Sequence, residues 1–561
     1  MNKASFIKKY FKICDDKCVC LLCPINCETK YAISTNFKTL TAHLLNNHKA
    51  NINIEEYNEI CKISKYKNNS LIVECTKDQE KEYTNNIANL IIQNMLPFNI
   101  VESKSFRTLL SGINKSYTVP NRKTIKSYIE NIWLNERDKK KKELNDNVSK
   151  IALTIDLWTS LNNISFLGIS YHYVDNNWSL RYGVLDILEL NYPHTAENIN
   201  LCLMKCINEY KIDNKIIAVV SDNAANMINN GTLLKVKLLN EYNNIIYPIG
   251  CSCHIINLCI NEGFKIKNNE IDKLRLIVIK LRSSPLLLDK IKKLVEENEE
   301  NYYCPKIDNV TRWNSTYTMI KDILKMKKTL NDLQEIDITE NEWKIYESYH
   351  KILKQFNNAV LILEGSEYPT ISLTYTVIET LKQYLNQQIK KDSFKDVLIP
   401  MLDKLNKYYN DYKEIYKITS FLDPSQKTVN IQKNEISIIK KIYTRYKKEI
   451  IVINKNSDND DSSNENIFTK NTISKNEFND YKKKNIEETD NILEWWKIYE
   501  TKYPTLSKIA RDFLCVPASS APVERIFSSS GNIVTAKRNR LDEESIRILT
   551  ALNSWQKEEL K

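Results

Sequence analysis

Cys20-x2-Cys23 is followed, after nineteen intervening residues, by His43-x4-His48. Two thiolates and two imidazoles complete a donor set for tetrahedral Zn2+, and HLLNNH sets both histidines near the end of one helix face. Residues 1–50 have too little core to fold alone, so bound metal would supply the missing stability. Five of the fourteen cysteines (Cys14, Cys18, Cys20, Cys23 and Cys27) crowd this stretch, and another pair such as Cys14 with Cys18 could ligate instead. Phe6, Tyr10 and Phe11 precede the ligands and could cover the site.

A second chemistry is suggested by two acids. Asp156 lies within the apolar run IALTIDLW, where a carboxylate is costly unless it is paired or binds a cation. Asp222 ends the run KIIAVVSD, a place from which a side chain projects at the carboxyl edge of a sheet. If the two strands are neighbours, both acids face one point and a divalent cation would relieve their repulsion. Asp222–Asn223 would serve equally well as a turn or helix cap. Cys251-x2-His254 is half a zinc site with no second pair nearby, which favours a structural or site-ordering role.

The elements that must carry these residues follow from periodicity. Residues 75–148 have helical spacing. From 151 the texture is β: IALTIDLW, NISFLGISYHYV and NWSLRYGVLDILEL read as strands, then helix, strand, helix, strand and helix to about 260. A mixed sheet with helices on its faces is the packing this order demands. Residues 261–452 are mainly helical, 453–488 read as a disordered polar linker, and 489–558 regain apolar density. No internal repeat is evident.

Composition narrows the class. At 561 residues the chain has room for several folding units. A formal charge of +11 suits a nucleic-acid partner. Neither GxxxxGK[ST] nor GxGxxG occurs, which removes the usual signs of phosphate-cradling loops. No run of about 18 apolar residues and no secretory h-region appears, so the expectation is a soluble, intracellular protein. In that compartment the cysteines serve as thiols and metal ligands.

Upstream aromatics, CxxC, the TNFKTLTAHL helix and the final histidine together resemble a BED zinc finger. Further blocks in fixed order resemble hAT-family transposases: LPFNIVES (96–103), TIDLWTS (154–160), HTAENI (194–199), VVSDNAANM (219–227), CSCHIINL (251–258), RWNSTY (312–317), FLDPSQK (421–427), SAPVERIFSSSG, KRNRL and LNSW. The resemblance implies an RNase H-like catalytic core, interrupted by a large all-α insertion and preceded by a small ββα zinc finger. It implies a metal-dependent DNA transposase in which Asp156, Asp222 and Glu524 hold Mg2+ or Mn2+. Arg312 would meet a phosphate and Trp313 would stack on an extruded base, while Lys537, Arg538 and Arg540 would contact DNA phosphates. Cys251 and His254 form the family's CxxH motif; His194, in HTAENI, receives no role. Implied partners are double-stranded DNA (terminal inverted repeats and target) and a second copy of the chain, joined through 489–558, in the nucleus and with no membrane. The alternative is a domesticated descendant that binds DNA, dimerises and regulates transcription without cutting. An RNase H-like nuclease acting on RNA hybrids leaves the finger and the RWNSTY and SAPVERIF blocks unexplained.

Overall fold

The computed structural model describes residues 3–24, 30–58, 75–160, 163–309, 312–333, 335–391, 394–427, 433–457, 477–525 and 542–559. The chain divides into two compact units, one of residues 1–87 and 98–125, the other of 88–97 and 126–561.

The first unit begins with helix α1 (Lys3–Tyr10), strands β1 (Phe11–Cys14), β2 (Lys17–Cys20) and β3 (Lys30–Ala32), and helix α2 (Phe37–Asn47). β1 and β2 form a hairpin whose two linking residues, Asp15 and Asp16, both have positive φ (48° and 56°), as a tight primed turn requires. The Asn36 side chain caps α2 by accepting from the Thr39 amide at 2.9 Å. Phe6, Phe11, Leu40, Leu44 and Ile52 make its small core. The ββα expectation is corrected here by a leading helix and a third strand. KYA is too short for periodicity to distinguish from a turn. Helices α3 (Lys77–Gln93), α4 (Lys104–Ile113) and α5 (Arg122–Asp146) follow.

The second unit is built on a five-stranded sheet: β4 (Ile151–Thr159), β5 (Ser165–Val174), β6 (Leu180–Glu189), β7 (Ile216–Ser221) and β8 (Tyr247–Gly250), in the order β6-β5-β4-β7-β8. The first three pair antiparallel, while β7 and β8 run parallel to β4. Helix α6 (Ala196–Tyr210) joins β6 to β7, α7 (Ala225–Tyr242) joins β7 to β8, and α8 (Ser252–Ile266) follows β8. Central β4 is buried on both faces. Ile151, Leu153 and Ile155 pack with Leu203 and Ile207 of α6 and Leu234 and Leu238 of α7. Ala152 belongs to the opposite core with Ile255 and Ile256 of α8. By the two-residue period of a strand, Asp156 shares the Ala152 side.

Helices then dominate: α9 (Asn268–Ser283), α10 (Pro285–Glu297), α11 (Trp313–Leu324), α12 (Lys327–Asn331), α13 (Glu340–Leu363), α14 (Ile371–Ile389), α15 (Lys395–Phe421) and α16 (Lys433–Ser457). The last described elements are α17 (Glu477–Lys483), α18 (Ile492–Tyr499), α19 (Pro504–Leu514) and α20 (Glu543–Glu559). The polar linker expected over 453–488 is corrected at both ends by helix. α16 runs to Ser457, and α17 buries Phe478 and Tyr481 against Phe421, Trp495 and Trp496. Two aromatics in a polar stretch suffice to dock a two-turn helix, a signal that averaged composition dilutes. Residues 458–476 lie outside the described residues.

α20 covers the edge strand β6. The Val184 amide donates to Ser554 Oγ at 3.0 Å and the Val184 carbonyl accepts from Trp555 Nε1 at 2.7 Å. Side chains thereby occupy backbone groups that an open edge would offer to another strand. Buried Asp186 on β6 pairs with Arg547 of α20, and buried Asp512 of α19 accepts from the Lys150 amide at 2.8 Å. No described helix is long and apolar enough to cross a membrane.

Candidate functional site

In the finger, Cys20, Cys23, His43 and His48 converge: one ligand atom from each lies within 4.8 Å of the others, the one such group among the described residues. The hairpin brings Cys20 to the end of β2, and α2 supplies His43 with His48 as its C-cap. Cys23 Sγ is 3.2 Å from His43 Nε2 and 3.1 Å from His48 Nε2. Ordinary Zn–S and Zn–N lengths set tetrahedral S···N edges near ~3.6 Å, so a slight outward shift of the rings fits the donor set to zinc. Burial, then the charge of His48, lowers the His43 pKa and keeps the ring neutral, as a ligand must be. Asn47 lies 3.1 Å from His43 Nδ1, and turning its amide presents a carbonyl oxygen to the Nδ1–H of a metal-bound ring. Phe11 and Tyr31 flank His43 at 6.0 and 5.5 Å. Cys14 and Cys18, the other candidate pair, stand outside the group, and Cys27 lies outside the described residues.

Two of the three acids are neighbours on the sheet, and Glu524, off the sheet, acts on Asp156 through charge. β4 pairs with β7 through Thr154 opposite Val220, and extending that register by two residues sets Asp156 beside Asp222. The Asp156 carboxyl is pushed up to about 7, first by burial, then by the charge of Glu524 and, more weakly, that of Asp222; the Leu157 amide, donating at 2.9 Å, opposes the rise. Asp222 Oδ1 accepts from the Ala224 amide at 3.1 Å, so the turn role expected for it is present as well. Exposed Glu524 accepts from Ser520 Oγ at 3.0 Å. Oxygens of the three acids do not all fall within the 4.8 Å that the finger ligands satisfy. They interact through charge and not as a closed ligand set.

Cys251 links these acids. It caps α8, its amide donates to the Ser221 carbonyl at 2.7 Å, and its Sγ accepts from the amides of His254 (3.4 Å) and Ser520 (3.3 Å). The Ser252 amide reaches the Ala518 carbonyl at 2.9 Å. One buried residue therefore joins the residue before Asp222, through its amide, to the turn that precedes Glu524, through its sulfur. The Cys253 thiol, and then the Ser520 and His254 groups, hold the Cys251 pKa below the ordinary thiol range against burial. Gly250 leaves room for the Asn223 side chain beside Asp222, since a Cβ there would lie 2.2 Å from Asn223 Nδ2.

Arg312 is exposed and precedes α11, but Trp313 is only 5% exposed and belongs to the helical core. Stacking on an extruded base would require it to leave that core. The RWNSTY block has local work here. Ser315 Oγ donates to the Arg312 carbonyl at 2.6 Å, and Thr316 Oγ1 donates to buried Asp308, which Arg275 also grips. His194 contributes its carbonyl to Asn226 Nδ2 at 3.0 Å, joining the HTAENI and VVSDNAANM blocks, and Thr195 caps α6. Lys537, Arg538 and Arg540 lie outside the described residues. Glu364, which the sequence did not single out, also senses the site. Burial raises its pKa, the Arg525 charge opposes this and the Glu524 charge adds to it. A glutamate at a helix end carries no sequence signal of such a position.

Three family models match: the hAT family C-terminal dimerisation region over residues 477–556, the ZBED1 RNase-like domain over 154–246, and the ZBED1 RNase-like helical domain over 249–352. The chain is 27% identical to a putative AC transposase of Zea mays, over 83% of this chain and 64% of that protein. It is 21% identical to the zinc finger BED domain-containing protein RICESLEEPER 1 of Oryza sativa subsp. japonica, over 85% and 74%. Against a putative transcriptional regulator, tpeD, of Talaromyces stipitatus the identity is 24%, over 84% and 61%. The chain thus spans just under two thirds of the maize relative's length.

Proposed function

Since this chain belongs to the hAT family, as a transposase or a protein derived from one, we propose that it cleaves DNA and joins the freed ends to a target in a metal-dependent reaction. The proposed architecture is an RNase H-like core, interrupted by the helices after β8 and completed by the C-terminal segment. The observation that carries the reading is Asp156: a carboxyl in an apolar strand whose pKa is raised by burial and by two further acids from distant parts of the chain. A buried structural acid is satisfied by a cation or by several donors, as Asp423 is by Ser425 and Gln426. Among described residues Asp156 has a backbone amide and like charges.

In this reading Asp156, Asp222 and Glu524 hold Mg2+ or Mn2+. Such ions supply Lewis acidity toward a phosphate oxygen and lower the pKa of bound water. The chain's own part is positional. Neighbouring strands fix the two aspartates, and the Cys251 sulfur holds the turn that delivers Glu524. Arg312, with Lys537, Arg538 and Arg540, would meet DNA phosphates. The finger, closed by Zn2+ on Cys20, Cys23, His43 and His48, would grip the element ends, residues 477–556 would pair two copies, and the setting would be the nucleus.

The test incubates the purified full chain and Mg2+ with a DNA end taken from the sequence that flanks its gene. Hairpins formed by the wild type and abolished by Asp156→Asn are the expected result. Firm binding without a nick in any divalent cation would overturn the reading. It would favour a DNA-binding, dimerising regulator, to which the looser spacing of the acids and the turn made by Asp222 already lend support.

A further inference from the structure

Trp313 is buried, yet an aromatic surface with cations around it exists elsewhere in the same unit. A cavity of about 270 Å³ opens between β6, the helical residues 522–525 and α20. Leu180, Tyr182 and Pro522 give it apolar walls, and Arg525, Lys557 and Arg181, the last paired with Asp175 at 2.9 Å, give it a cationic rim. Glu558 also borders it, but its carboxylate is taken up by the Tyr171 hydroxyl and by Lys140 at 2.9 Å. Tyr182 is braced from behind by His172, with ring centroids 6.0 Å apart and planes 16° apart. Glu524 stands between Pro522 and Arg525 in the helical stretch that forms one wall.

We infer that this cavity receives one unpaired nucleotide of the DNA strand, its base against Tyr182 and its phosphate among Arg181, Arg525 and Lys557. The volume lies below the ~300–1,000 Å³ of sites that enclose a drug-sized ligand, which leaves room for one planar ring and not a larger cofactor. An aromatic platform accepts any base, and a cationic rim accepts any backbone, so the pocket reads strandedness and not sequence. Occupancy would set a single-stranded segment within a turn of Glu524. The inference rests on DNA being the partner, as proposed above, and is independent of whether the chain cuts.

The experiment uses the full chain carrying Asp156→Asn and a DNA end with a short overhang bearing the fluorescent base 2-aminopurine. The overhang signal is expected to quench on binding, and both Tyr182→Leu and Lys557→Glu are expected to weaken overhang binding about tenfold. Affinity for the fully paired duplex should stay within about twofold. Free deoxynucleoside monophosphate should compete poorly, which separates a strand-borne nucleotide from a free one. Lys557 is exposed, so its variant threatens no core, and circular dichroism checks the fold of both. Overhang binding unchanged in both variants, or overhang and duplex weakened alike, overturns the pocket. A chain that binds overhangs this way and never cuts leaves the pocket standing and removes the cleavage reading.

Discussion

Cys251 shows how much one side chain can carry. Its Sγ is the shared acceptor for two amides, one of them in the turn that leads to Glu524. Cys251→Val keeps the volume and removes the acceptor, stranding two N–H groups at about 1–3 kcal/mol each. The expected outcome is a lower melting temperature and, if the chain cuts DNA, a fall in turnover larger than any fall in DNA affinity, read by thermal denaturation and paired cleavage and binding assays. Cys251→Ser should recover part of both. His172 makes a separate prediction. Burial pushes its pKa down to about 3, so the folded protein holds it neutral while the unfolded chain protonates it near 6.5. The stability it contributes is complete above pH ~6.5 and is lost as pH falls toward 3, at up to about 1.4 kcal/mol per pH unit. Urea midpoints measured across that window should fall less steeply for His172→Phe than for wild type. At this scale an acid inside IALTIDLW stood out because nothing in an apolar strand explains it. Glu364 and the burial of Trp313 did not, because a glutamate at a helix end and a tryptophan in a polar block look alike whether buried or exposed.

Strand and helix order in the sheet was legible because each element pairs a clear period with a boundary, as Thr195 caps α6 and the αL residue Lys211 closes it. The missed elements are short: α1 has eight residues, β3 three and α17 seven, lengths over which a period is hard to count. The finger is the element whose stability depends on something other than its own core. Removing zinc with a strong chelator should melt the segment through residue 58, seen as new proteolytic cuts there, while the sheet's own unfolding transition stays in place. Cys23→Ser should reproduce this without chelator. Cys14→Ser should not, since Cys14 stands apart from the ligand group.

On the scale of the molecule, the sheet is completed by chain that arrives last. Asp186 is 1% exposed and its charge is met by Arg547, 361 residues away. Arg547→Met should cost about 3–5 kcal/mol by leaving a buried acid without its partner, and the double change with Asp186→Leu should recover much of that in a denaturant titration. Such distant pairings have no local pattern, which is why the resemblance, and not the periodicity, brought Glu524 to the site.

The covering of β6 by α20 has a consequence for synthesis. A polypeptide interrupted before residue 500 has already made the finger and both aspartates, but lacks the glutamate and the lid over the sheet's rim. In the cleavage reading, such a fragment would occupy DNA without cutting it. With Val184 and its neighbours uncapped, it would also clump. Premature termination would therefore yield a short-lived competitor of the intact protein and not a weak version of it.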